Sequence, residues 1–312
     1  MPKVFISTSS FGRVSSAPLA ALERAGCSYA TNPHGRQLDH DEIREFLVGV
    51  EGLIAGTEPL DRETLTGARN LKVVSRVGTG LENVDLAAAG ELGIRVANTP
   101  DPPARAVAEL ALGGILALQR GLCRADAEMR SGSWNKPMGR LLAGSTVGIV
   151  GTGRAGRALT DLLTPFRCRI LAFDLKQDRS WARDAGVEYV TMEQLVAESD
   201  IVSLHVPLTS ETRGLMDAKR LAAMKPGAVL VNCARGGLVD EAALADNLRN
   251  GRLGAAFLDV FETEPYHGDL IELPNTLLSP HIGSYAAECR LQMETEAVTN
   301  LLMALAKPER SS

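Results

Sequence analysis

Short apolar runs recur along the chain, each closed by glycine, proline or a small polar residue. Lys3–Ser7, Gly52–Ala55, Lys72–Arg76, Thr146–Val150, Arg169–Phe173, Ile201–Leu204, Ala228–Asn232, Ala255–Leu258 and Thr276–Leu278 read as strands. Between most of them lie segments of helical length, such as Pro18–Ala25, Asp41–Val50 and Asp240–Asn250. The last is well punctuated: Asp240 can cap the first turn, Arg249 suits the negative end of the helix dipole, and Gly251 can close it in the left-handed conformation. Strands alternating with helices predict parallel sheets flanked by helices, an α/β fold.

Two helical stretches are longer, Ala104–Ser131 and Tyr285–Ala306. Pro100, Pro102 and Pro103 crowd the entry to the first, a stiff connection of the kind expected where a chain crosses between domains. The glycine-rich turn described below comes only after residue 150, so a whole α/β unit precedes it. The pattern therefore predicts two lobes, without internal repeats or low-complexity tracts.

Composition narrows the function. Of 312 residues, 45% are hydrophobic, enough for one large core or two ordinary ones. The net charge is −5, with 38 acidic and 33 basic residues interspersed, so neither nucleic acid nor an anionic membrane is an expected partner. The most apolar stretch, Ala106–Leu118, contains Glu109 and is too short to span a bilayer. The N-terminus opens as a strand followed by a Ser/Thr loop and lacks a signal-peptide pattern. Cys27, Cys123, Cys168, Cys233 and Cys289 are scattered and form no CxxC pair. Neither a disulfide framework nor a metal site is expected, and a reducing, cytoplasmic setting fits.

The sharpest local signal is Val147-Gly-Ile-Val-Gly-Thr-Gly-Arg-Ala-Gly-Arg-Ala-Leu. An apolar strand ends at Val150, Gly151, Gly153 and Gly156 form GxGxxG, and a helix follows with Leu159, Leu162 and Leu163 on one face. Gly151 permits the tight turn, Gly153 lets backbone approach a pyrophosphate, and Gly156 lets helix and strand pack closely. The helix N-terminus at Arg154 and Ala155 then presents free N–H groups to the anion. A second strand, Arg169–Phe173, ends in Asp174, 18 residues past Gly156, where a carboxylate accepts hydrogen bonds from an adenosine ribose. That charge repels a 2′-phosphate, so NAD is expected over NADP, with Lys176 nearby to soften the preference.

Ligands of open α/β sheets sit beyond the C-terminal ends of strands. His205, Arg235, Asp259, Glu262, Glu264 and His281 all follow strands, and Gly236-Gly237 after Arg235 would let a substrate approach the backbone. Hydride transfer at a carbonyl needs a proton donor and a fixed positive charge. Position alone offers His205 or His281 as donor, with His34, His40 and His267 behind them.

Taken together, these segments resemble the D-isomer-specific 2-hydroxyacid dehydrogenases, closest to their phosphoglycerate dehydrogenase-like branch. The resemblance spans nearly the whole chain and rests on Val77-Gly-Thr-Gly-Leu-Glu-Asn-Val-Asp, Val107-Ala-Glu-Leu-Ala-Leu, the glycine turn, His205-Val-Pro-Leu-Thr, Asn232-Cys-Ala-Arg-Gly-Gly-Leu-Val-Asp, Leu258-Asp-Val-Phe-Glu-Thr-Glu-Pro and Ser279-Pro-His-Ile-Gly. It implies that Arg235 binds the substrate carboxylate, that His281 is the general acid/base, and that Glu264 hydrogen-bonds His281. It assigns the backbone N–H groups of Arg76, Val77, Gly78, Thr79 and Gly80 to the substrate carboxylate. It places His205, Pro207, Cys233 and Ala234 along the cofactor pocket, with Asp259 facing the nicotinamide carboxamide.

The resemblance also implies architecture: two Rossmann-like or flavodoxin-like lobes, with an NAD-binding domain (99–283) inserted in a discontinuous substrate domain (1–98 and 284–312). It implies a homodimer joined through the nucleotide domains. Trp134 lies either in the dimer arm or against its own subunit's core. Two departures from the branch stand out. The loop Gly56-Thr57-Glu58-Pro59 lacks the arginine common there, and the chain stops soon after its last helix, so a C-terminal regulatory domain is not expected. Arg76 matches a phosphate-contacting arginine and tilts the expected substrate toward 3-phosphoglycerate, while Glu58 would repel a dianion or neutralise Arg76. An unphosphorylated 2-keto acid such as hydroxypyruvate or glyoxylate is the alternative. A corepressor-like protein that only senses the dinucleotide is a further one.

Overall fold

The computed structural model describes residues 1–306, so the end of the expected 284–312 segment lies outside the described residues. The chain forms two compact units, Met1–Pro103 together with the stretch from Ser284, and Ala104–Gly283. In the first unit, β1 (Lys3–Ile6), β2 (Ser28–Thr31), β3 (Gly52–Ala55), β4 (Val73–Arg76) and β5 (Arg95–Ala97) form one sheet in the order β2-β1-β3-β4-β5. All of its pairings are parallel, and this is the flavodoxin-like order, which reverses between β1 and β3. The last helix, Ala287–Ala306, returns to this sheet and packs on β3, β4 and β5. Ser75 Oγ donates to its Ala297 carbonyl at 2.8 Å, and a Cβ on Gly52 would stand 3.0 Å from Leu301. The second unit thus lies, in sequence, between the two segments of the first.

The second unit carries β6 (Thr146–Val150), β7 (Arg169–Phe173), β8 (Val187–Tyr189), β9 (Ile201–Leu204), β10 (Val229–Asn232), β11 (Ala255–Leu258) and β12 (Thr276–Leu278). Their order is β12-β11-β10-β9-β6-β7-β8, all parallel, a doubly wound Rossmann sheet with one added edge strand. Strand side chains feed two cores on opposite faces. Val150, Leu171, Val202, Leu204 and Leu230 enter one, while Val147, Ile149, Ile170, Ile201 and Val231 enter the other. Burial on both faces is what gives these strands their continuous apolar reading. The strand order reverses between β6 and β9, so their C-terminal ends open the crevice in which such sheets bind ligands.

Three strands do not stand out in the sequence: β2, β5 and β8. Each is a sheet edge with at most one fully buried side chain, so little apolar residue is demanded. The expected long helix Ala104–Ser131 is also corrected. It breaks at Gly121, whose left-handed backbone (φ 59°) turns Pro103–Arg120 into Leu122–Arg130 through 63°. No single helix among the described residues is long and apolar enough to cross a membrane. Asp240 caps Glu241–Arg249 through its side chain, and Gly251 follows at positive φ, as the sequence predicts. Trp134 is 76% exposed, which removes the reading that it covers its own core.

Candidate active site

The glycine turn after β6 uses its three glycines in three ways. Gly151 sits at φ 98°, and a Cβ there would collide with the carbonyl of His205. A Cβ on Gly156 would collide with the Gly151 carbonyl, so the helix Arg154–Leu163 can press on the turn only with glycine at this position. Gly153 caps that helix and faces open space, and Arg154 beside it is exposed. Asp174 follows β7 and reaches across the turn. Its Oδ2 accepts from the Thr152 N–H at 2.7 Å and Thr152 Oγ1 at 3.1 Å, and its Oδ1 accepts from the Lys176 N–H at 2.8 Å. A carboxylate has roughly four lone-pair positions, so one remains for a ligand hydroxyl. Arg157 of the same helix is held by Asp178 at 2.9 Å and lies over the Trp181 ring.

Across the reversal point, His205 extends the β9 ladder with its N–H on the Val150 carbonyl at 2.7 Å. Its Nε2 pairs with Ser203 Oγ at 2.8 Å, while Nδ1 is buried without a hydrogen-bond partner among the described residues. Burial lowers the His205 pKa to about 4, so the ring is neutral at pH 7 and is not a proton donor there. The Pro207 carbonyl accepts from Thr212 Oγ1, and the Ala234 N–H donates to the buried Asn232 side chain. Cys233 is buried, and burial together with the Asp259 charge pushes its thiol up, out of the range of a reactive thiolate.

Arg235, Glu264 and His281 come together in a cleft of about 240 Å³ in this same unit. His281 Nδ1 lies 2.9 Å from Glu264 Oε2, and Glu264 Oε1 accepts from the Phe261 N–H at 3.1 Å. Burial pulls the Glu264 carboxyl up. The bond to His281, the charges of His281 and Arg235 and the Phe261 N–H outweigh it, and the net shift is downward. Arg235 leaves β10 in extended backbone, and its Nη1 donates to the Ala234 carbonyl at 2.7 Å. The two glycines after it line the same cleft, and each is closely packed where a Cβ would stand. A Cβ on Gly236 would collide with the Phe261 backbone, and one on Gly237 would meet the Arg213 guanidinium at 2.9 Å. Glycine at 236 lets the Arg235 loop lie on the strand-end segment that carries Glu264.

Arg213, which sequence reasoning does not single out, pairs at 2.9 Å with Glu262, and both line the cleft. Asp259, fully buried, accepts from Ser279 Oγ at 2.5 Å, the Ile282 N–H at 2.8 Å and the Gly283 N–H at 2.7 Å. Three of its roughly four acceptor positions are therefore filled by protein, leaving one for the expected cofactor contact.

In the first unit, the loop after β4 is more occupied than expected. The Val77 N–H continues the ladder to the Ala55 carbonyl at 2.9 Å, and the Gly78 N–H donates to Thr99 Oγ1 at 2.8 Å. Neither is left for a substrate carboxylate, which corrects that part of the expectation. Thr79 and Gly80 have no such internal partner for their N–H groups among the described residues. The Arg76 guanidinium folds over Gly78, where a Cβ would collide with it, and donates to the Val77 carbonyl at 3.0 Å. Glu58 is buried and turned inward, accepting from Ser7 Oγ and from the Gly56 N–H at 3.1 Å. Burial raises its carboxyl pKa, against these bonds and the Arg76 charge.

Residues 112–283 match the family model of the D-isomer specific 2-hydroxyacid dehydrogenase, NAD binding domain. The hydroxypyruvate reductase of Thermotoga maritima is 38% identical over 275 residues, which cover 86% of this chain and 89% of that one. This chain belongs to the D-isomer-specific 2-hydroxyacid dehydrogenase family. The D-3-phosphoglycerate dehydrogenase of Mycobacterium leprae is 40% identical over 257 residues, 81% of this chain but 49% of the relative, so the chain spans about half the length of that dehydrogenase. The crystal structure of the TT0316 protein from Thermus thermophilus superposes with a TM-score of 0.90 at 37% identity, covering 97% of this chain and 96% of the other.

The residues present fit the NAD that this dehydrogenase family's domain binds. Gly153 leaves open the space where a Cβ would stand, the first helical turn offers its N–H groups, Asp174 keeps one acceptor position, and the buried His205 Nδ1 awaits a partner.

Proposed function

We propose that this chain is an NAD-dependent oxidoreductase that interconverts a small D-2-hydroxy acid and its 2-keto acid. The observation that carries this reading is the His281–Glu264 pair at 2.9 Å in a cleft shared with Arg235. NAD supplies the hydride acceptor for oxidation and, reduced, the hydride donor at C2. Arg235 holds the substrate carboxylate and polarises the neighbouring carbonyl. His281, as imidazolium, gives its proton to the carbonyl oxygen during reduction and takes it back during oxidation. Glu264 fixes the ring and balances its charge. In the first unit, the Thr79 and Gly80 N–H groups are the part of the loop that serves the substrate carboxylate.

A non-phosphorylated substrate, of the hydroxypyruvate or glyoxylate kind, is favoured over 3-phosphoglycerate. The inward Glu58 carboxyl lies within electrostatic reach of Arg76, so that cation is not a dedicated phosphate site. The test is NADH oxidation with glyoxylate, hydroxypyruvate and 3-phosphohydroxypyruvate. Turnover of the first two above the third supports the reading. A preference for the phosphorylated acid overturns the substrate assignment, and no turnover with any 2-keto acid overturns the activity.

A homodimer is part of the same proposal. The irregular stretch after the helix Leu122–Arg130 exposes Trp134, Met138 (97%) and Leu141 (73%), an apolar arm that a second copy would cover. A reducing, cytoplasmic setting is supported by five cysteines that stand as free thiols.

A further inference from the structure

His281 is held in an unusual backbone conformation. Its φ is 56°, in the left-handed region that a side chain with a Cβ rarely adopts. It sits in the short stretch between β12 and the end of the second unit. Three groups around it, the Ser279 hydroxyl, the Ile282 N–H and the Gly283 N–H, converge on the one buried carboxylate of Asp259. Gly283 is matched to that contact: a Cβ there would stand 3.1 Å from Asp259 Oδ2 and 3.2 Å from Val107.

Asp259 is itself tied into the sheet. Its N–H continues the ladder to the Asn232 carbonyl at 3.0 Å, and its side chain is fully buried. We infer that Asp259 is the positioning residue for the general acid, clamping the backbone on both sides of His281 and so aiming its imidazole into the cleft. This inference rests on the role proposed for His281. The division of labour is then clear. Glu264 fixes the ring at Nδ1, Asp259 fixes the backbone that carries it, and both come from the stretch that follows β11. The requirement is for an acceptor-only group. Three donors point at Asp259, and an amide in its place offers one acceptor oxygen and turns an NH₂ toward at least one N–H.

The experiment compares the full-length wild type with Asp259→Asn and Ser279→Ala. Three quantities are read: the rate of 2-keto acid reduction at saturating NADH, the NADH dissociation constant by fluorescence, and hydrogen exchange of the peptide spanning residues 279–283. Asp259→Asn is expected to lower the reduction rate roughly 10–100-fold, as a misplacement near 1 Å does. Exchange of the Ile282 and Gly283 amides should accelerate at least tenfold, whether or not NADH affinity falls with the loss of the cofactor contact. Ser279→Ala, which removes a single donor, should shift rate and exchange in the same direction by less. It also keeps the inference open to test if Asp259→Asn fails to fold. Loss of NADH affinity with unaltered exchange overturns the clamp in favour of a simple cofactor contact. So does unaltered exchange in both variants. If the wild type reduces no 2-keto acid, the proposed activity fails, while the exchange measurement still decides the clamp.

Discussion

Two carboxylates from one short stretch of chain, Asp259 and Glu264, account for the placement of His281. Glu264 is the partner of the ring and carries its negative charge down to lower pH than an ordinary glutamate, despite its burial. Changing Glu264 to Gln keeps the hydrogen-bonding shape and removes the charge that balances the ring when it carries the proton. The reduction rate of the variant should fall by roughly 10-fold or more, and an unchanged rate would refute the pairing. Asp174 makes a different prediction. Its remaining acceptor position and its charge should favour NAD, so Asp174→Ala should narrow the ratio of kcat/KM for NADH over NADPH by roughly tenfold or more. A wild type equally efficient with both cofactors would refute this role. His205 adds a stability effect. Its pKa drops from 6.5 to about 4 on burial, so the unfolded chain binds a proton that the folded chain refuses. The stability linked to this group is present above pH 6.5 and is lost as pH falls toward 4, by up to about 3 kcal/mol. Chemical denaturation of His205→Asn should show a shallower loss over that window than the wild type, and parallel curves would contradict the burial argument.

At the scale of elements, the turn between β6 and the helix Arg154–Leu163 separates packing from binding. Gly156→Ala places a methyl against the Gly151 carbonyl and should destabilise the protein by roughly 1–3 kcal/mol, seen as a lower Tm. Gly153→Ala meets open space at an ordinary φ, so Tm should hold while NADH affinity drops. Equal thermal losses in both variants would contradict the assignment of separate roles. The central strands and the glycine turn were legible in the sequence because burial on both faces demands uninterrupted apolar runs. The edge strands β2, β5 and β8 were not, because an edge tolerates polar and small residues such as Ser28 and Glu188. The break at Gly121 is a single left-handed residue inside an otherwise helical pattern, a position that periodicity does not mark. The same limit hid the contacts of Gly236 and Asp259, because their partners Phe261, Ser279 and Gly283 are set by how neighbouring strand ends meet.

At the scale of the whole molecule, the two sheets have different topologies, and each places its polar residues beyond its strand ends. In the second unit the reversal point between β6 and β9 is flanked by the glycine turn and His205, and the cleft of Arg235, Glu264 and His281 stands at the ends of the strands beside it. In the first unit the reversal between β1 and β3 is closed by Ser7, Gly56 and Glu58, which bind one another. The apolar arm around Trp134 should make the protein a dimer in sedimentation, and replacing Trp134 and Met138 by polar residues should shift it toward monomer. A wild type that is monomeric at micromolar concentration would remove that part of the proposal. The chemistry itself is tested most directly by single-turnover reduction of hydroxypyruvate or glyoxylate by the wild type and by His281→Ala, with NADH occupancy matched by fluorescence. The account predicts bound NADH in both proteins and a rate lower by roughly 10²–10⁴ in the variant. A variant that transfers hydride as fast as the wild type would contradict it.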